Sequence, residues 1–181
     1  MPDADSVWLE LYVRSLHAGA ADARQEAAIE RLADLEDAGR IDGYQVLVWG
    51  DRMPGSPAEA RTDAGLFALN RAAVFAEWAD RNDYSIDRFD HQQVESRILG
   101  ETYRTLSVPI MTLAEYAGSD LRFVAPVTGA DGTVTVLDRF DQLAADAGTA
   151  TDLEPLSQTY ADPPAGLALA APDEEGAGRN A

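Results

Sequence analysis

Val7-Trp-Leu-Glu-Leu-Tyr-Val-Arg-Ser-Leu16 and Tyr44-Gln-Val-Leu-Val-Trp49, with Ile29, Leu32 and Leu35 between them, decide the fold. In the first stretch Leu9, Leu11 and Val13 fall on one face, and Trp8, Glu10, Tyr12 and Arg14 on the other. A period of two predicts a half-buried strand. Ile29, Leu32 and Leu35 recur at helical spacing. Asp22 followed by Gln25 reads as a variant capping box at the start of that helix. Gly39 stands where a left-handed cap would end it. Tyr44 to Trp49 is apolar on both faces, which predicts a central strand. Strand, helix and strand in so short a span form one crossover unit, with the two strands parallel.

Outward from this unit, Gly50, Pro54, Gly55 and Pro57 mark residues 50–62 as a surface loop. A second helix is expected over roughly Asp63 to Asn82, with Phe67, Val74, Phe75 and Trp78 near one face and a break at Asp83-Tyr-Ser85. Short strands follow. Val94 to Leu99 turns into Tyr103 to Tyr116, then Leu121 to Val127 and Thr133 to Val136, as an antiparallel meander. Pro109 implies an edge or a bulge in the second of these strands. Leu137, Phe140 and Leu143 place a short helix before Gly148. The expected fold class is α+β: a strand–helix–strand crossover, a helix and an antiparallel meander, with helices mostly on one face of a five- or six-stranded sheet. Residues 1–148 read as a single domain. Residues 149–181 read as an acidic tail containing Pro, Ala and Gly, in which Leu153, Leu156 and Tyr160 could follow the surface and disorder is expected from about residue 162.

The chain has 181 residues, 46% of them apolar, and no cysteine. That excludes disulfides, thiolate metal sites and a cysteine nucleophile. Fourteen bases, all Arg, stand against 32 acids, for a net charge of −18. Such a surface repels itself at low ionic strength. At ~1 M salt the Debye length shrinks to about 3 Å and the repulsion is nearly gone. Acid-rich, Lys-free composition therefore points to a halophilic, archaeal cytosol, and it removes net acidity as an argument against a nucleic-acid partner. No apolar run approaches the ~20 residues of a membrane span, and the N-terminus lacks a basic-then-apolar leader. A cytoplasmic protein without membrane association is the expectation.

Few parts for catalysis are present. His17 and His91 match no metal-ligand spacing. No Ser stands in a nucleophile elbow, and without Lys there is no P-loop. Nothing calls for a cofactor or a metal, and enzymatic activity of an unfamiliar type stays in reserve. The unusual feature is aromatic and Arg residues along the crossover. Tyr12 and Arg14 leave the first strand and Trp49 and Arg52 leave the second, at the same end of a parallel pair. Ligands often bind beyond the carboxyl ends of such strands. Two Arg there could clamp an anion bidentately.

Tyr12-Val-Arg-Ser-Leu16, the Arg24-Gln-Glu…Ile29-Glu-Arg-Leu32 helix and Val46-Leu-Val-Trp-Gly50 resemble a largely uncharacterised group of small haloarchaeal proteins, some labelled helix-turn-helix domain proteins. The likeness extends through Ile98 to Leu143, including Leu113-Ala-Glu-Tyr116 and Val124-Ala-Pro126. It implies DNA binding and transcriptional control. Phe75 to Leu99 is the stretch that could form helix, turn and helix, with Ile86 to Leu99 as the recognition helix and Arg88 and Arg97 as its donors. Two functions are thus expected. One is a non-enzymatic regulatory or interaction protein, transcription-associated through the resemblance, with DNA, a protein partner or a second copy as its partner. The other is a sensor of a small anion at Arg14, Arg52, Trp49 and Tyr12.

Overall fold

The computed structural model describes residues 6–14, 20–50, 52–86, 91–95, 102–145, 153–157, 163–164 and 167. Strand β1 (Val7–Val13) leads into helix α1 (Ala20–Asp37) and strand β2 (Gly43–Val48), and β1 and β2 pair in parallel from Trp8↔Gly43 to Val13↔Val48. Helix α1 ends as its glycine demands. Gly39 has φ +65°, its N–H donates to Glu36 and that of Arg40 donates to Leu35, the two bonds of a Schellman cap. Its start differs from expectation, because the helix already runs at Ala20. Gln25 is instead buried, and its Oε1 accepts the backbone N–H of Arg14 at 3.1 Å.

Strand β3 (Arg52–Pro54) precedes helix α2 (Asp63–Arg81), which is N-capped by Thr62 accepting from the Gly65 N–H. Then come β4 (His91–Glu95), β5 (Thr102–Ser107), β6 (Met111–Ala117), β7 (Asp120–Ala125), β8 (Val127–Gly129), β9 (Gly132–Val134), α3 (Val136–Ala144) and β10 (Leu156–Ser157). The five-stranded sheet has the order β10-β7-β6-β1-β2, a three-stranded sheet the order β3-β5-β4, and β8 and β9 form a hairpin. The molecule is α+β, with a mixed main sheet and the crossover at its start.

Three positions correct the sequence reading. The strand expected to be central, β2, is at an edge, and β1 is central; apolar character on both faces of β2 reflects cover from other elements. Val48 donates its N–H to the carbonyl of Leu167 at 3.0 Å, and Leu167 is buried. Residues 103–116 are two strands in two sheets, divided at Val108-Pro109-Ile110. Proline has no N–H for a ladder, so the chain leaves one sheet there and enters the other. Finally, residues 91–95, placed by the sequence reading in a recognition helix, are a strand paired antiparallel to β5.

β1 is also more than half buried. Leu9, Leu11 and Val13 face the side of the sheet carrying α1 and α3, which are tied together by Arg31 and Asp141 at 2.8 Å. Arg139 of α3 reaches down to Glu115, the register partner of Leu9. The opposite face is covered by α2. There Glu10 and Tyr12 are fully buried with Phe75 and Arg71. A strand that reads as alternating can lie inside because its one acid, Glu10, accepts from the Tyr12 hydroxyl at 2.6 Å and from Arg71 at 3.5 Å.

Candidate functional site

The carboxyl ends of β1 and β2 open toward the N-terminus of α2. A cavity of about 360 Å³ lies there, walled by Trp49, Arg52, Arg61, Thr62, Gly65 and Leu167 among others. Each wall has a local cause. Gly50, with φ +80°, turns the chain out of β2, so Trp49 stays packed while Arg52 starts β3. Thr62 in extended conformation stops the loop and starts α2, leaving Arg61 outside the helix and exposed. The first amides of α2 are directed to this end, where partial positive charge gathers. Glu59 also lines the cavity. Its carboxylate accepts from the Arg104 N–H and the Ser56 hydroxyl, each at 2.9 Å, and the backbone bond first and the hydroxyl second hold its pKa below the usual carboxylate value.

The sequence-derived ligand residues separate. Trp49 and Arg52 share the cavity wall. Tyr12 lies beneath, its ring 4.6 Å from that of Trp49, and burial, then the charge of Glu10, push its hydroxyl pKa well above 10.0. Arg14 turns away and donates from its guanidinium to the Val108 carbonyl, fastening β1 to the corner between the sheets. Arg61 takes the place beside Arg52 that the sequence reading gave to Arg14. The signal for it was the Thr62 cap, which fixes the preceding residue at a helix mouth. Arg88, Arg97 and His17 lie outside the described residues.

Beyond the cavity, β3, β5 and β4 form the second sheet. Arg52 pairs with Ser107, and Gln93 pairs with Arg104, which is exposed. The Arg104 position is close to β3: a Cβ on Gly55 would meet the Arg104 Cβ at 2.7 Å, so only glycine lets the chain pass. Among the described residues no two helices follow one another with only a turn between them; strands separate α1, α2 and α3. No group of three or more His, Asp or Glu among these residues is placed to hold a metal, and no described helix is long and apolar enough to cross a membrane.

The family model of a helix-turn-helix domain matches residues 1–148. The chain belongs to that family. No curated protein and no solved structure matches it. Membership brings a DNA-binding, transcription-associated role within reach of this fold, and the matched span contains both sheets and all three described helices. The name of the family and the shape of this member part at residues 75–99: Asn82 caps α2, Asp83 takes φ +57°, and His91–Glu95 then joins the second sheet.

Proposed function

We propose that this protein is a non-enzymatic regulator that binds duplex DNA in a transcription-associated role, in the salt-filled cytosol of a haloarchaeon. The family match over residues 1–148 is the observation that carries this. The −18 charge and the absence of Lys support the saline setting. Phosphate contacts weaken steeply as salt rises, so base-edge and shape contacts must supply most of the affinity in molar salt. The test is selection of a randomised duplex library on the full chain at 2 M KCl. Enrichment of one sequence motif is expected, with nonspecific retention undetectable. A library that emerges unenriched at 2 M and at 0.5 M KCl would remove the DNA role. Capture of a protein partner, or self-association measured by sedimentation in the same salt, would then favour an interaction protein.

The cavity supports a second function, sensing of a small anion. Arg52 and Arg61 stand at its wall beside the N-terminus of α2, where backbone amides attract negative charge. Titration calorimetry with inorganic phosphate should register binding to the wild type and none to Arg52→Ala or Arg61→Ala, at unchanged thermal midpoint. Equal heats for all three proteins would eliminate the sensor.

A further inference from the structure

The described helices are poorly equipped for a DNA backbone. Residues 20–37, 63–81 and 136–144 together carry eleven acids and five Arg. Two of those Arg, Arg71 and Arg139, are buried against Glu10 and Glu115. Arg31 and Arg81 are paired to Asp141 and Glu77. The second sheet differs. Residues 52–62, 91–95 and 102–107, which form β3 with its loop, β4 and β5, hold three Arg and two acids; the rest of the chain holds eleven and thirty. One of those two acids, Glu59, already accepts two hydrogen bonds. Arg52, Arg61 and Arg104 are all exposed. A strongly acidic chain has thus gathered its one net-positive surface on a single small sheet.

The register gives this surface an order. Arg104 and Gln93 are directly opposed on one face of the β4–β5 ribbon. Arg52, opposed to Ser107, falls on the other face, and Arg61 lies on the loop that follows β3. A two-stranded ribbon fits the B-DNA major groove, about 12 Å wide. Arg and Gln are the side chains that match guanine and adenine edges there with two hydrogen bonds each. Arginines at the flanks suit phosphates on the groove walls, which position a protein without reading sequence.

We propose that duplex DNA is bound by the β3-β5-β4 sheet and not by a pair of helices, with Arg104 and its register partner Gln93 as the base-reading pair and Arg52 and Arg61 as phosphate contacts. This rests on the DNA-binding role proposed above. The experiment repeats the duplex selection with Arg104→Ala, Gln93→Ala and, as a control on the far side of the main sheet, Arg31→Ala, and measures anisotropy on the duplex enriched by the wild type. Circular dichroism melts first establish that each variant is folded. Arg104→Ala and Gln93→Ala should each weaken binding by roughly five- to a hundred-fold and relax preference at one base position. Arg52→Ala should weaken all sequences equally and flatten the salt dependence by about one phosphate. Arg31→Ala should match the wild type. If the wild type selects a motif and both ribbon variants select it with unchanged affinity, the sheet is not the reader and the DNA role stands. If the wild type selects nothing, the DNA role itself falls and takes this surface with it.

Discussion

Removing Arg139 should unfold the packing of α3 on the main sheet. Its Nε and Nη2 both donate to Glu115 Oε2, at 2.9 and 2.7 Å, and the two side chains are 2% and 1% exposed. The guanidinium also lies 4.5 Å over the Phe123 ring. Arg139→Ala leaves the Glu115 carboxylate inside the protein without its counter-charge, a change that costs about 3–5 kcal/mol in buried pairs. For a chain of this size each kcal/mol shifts the midpoint by roughly 2–4 °C. The variant should therefore melt roughly 6–20 °C below the wild type in 2 M KCl, followed by circular dichroism at 222 nm. Glu115→Leu in the Arg139→Leu background removes both charges and fills the space with apolar groups, so it should recover most of that loss. A single variant that melts within a degree or two of the wild type would refute the reasoning, because it would mean that water reaches Glu115 and α3 is held by its apolar face alone.

The thermal midpoint of the wild type should rise substantially between 0.1 M and 2 M KCl as screening relieves the −18 charge; a flat response would remove the saline setting. Leu167→Ala should destabilise by about 1.5–3 kcal/mol in chemical denaturation, as for a buried leucine, while Glu30→Ala, on the exposed side of α1, should stay within ±0.5 kcal/mol. The bonds to Glu59 require its ionised form. With its folded pKa below the unfolded value, they contribute fully above the unfolded pKa and fade as pH falls through the folded one. Proteolysis of residues 55–61 should thus quicken at acid pH in the wild type, and Glu59→Gln should make that susceptibility high at every pH.

Much of this architecture is readable from local pattern. The period of two in Val7–Val13, the stripe of Ile29, Leu32 and Leu35, and Gly39 at the end of α1 each act through neighbours in sequence, so the crossover and its parallel pairing follow from the chain alone. Order across the sheet does not. Tyr44 to Val48 reads as central because its residues are apolar, yet its outer neighbour is Leu167, and no local pattern announces a contact across so much chain. Glu10 carries the opposite lesson: a charge in a strand reads as solvent-facing unless the partner, Arg71 on α2, is known. The same reason explains the site. Trp49 and Arg52 are set by the exit from β2, whereas Arg61 joins them only because α2 folds back over that exit. The helix-turn-helix reading of 75–99 failed where β4 met β5, since strand pairing with residues 102–107 overrides a local sequence that tolerates a helix.

Both margins of the five-stranded sheet are met by the C-terminal segment: Leu156–Ser157 pairs with β7, and the Leu167 carbonyl takes the Val48 N–H of β2. Residues beyond 148, outside the family match, thus occupy backbone groups that would otherwise template another strand. In dilute buffer, like charge alone would keep two copies from joining rim to rim. In brine that protection is screened away, and only occupied hydrogen-bonding positions still guard the rims. Colloidal safety in such a solvent has to be built from backbone geometry, and this chain places it at Val48 and at Leu121, in a segment that looks dispensable by composition.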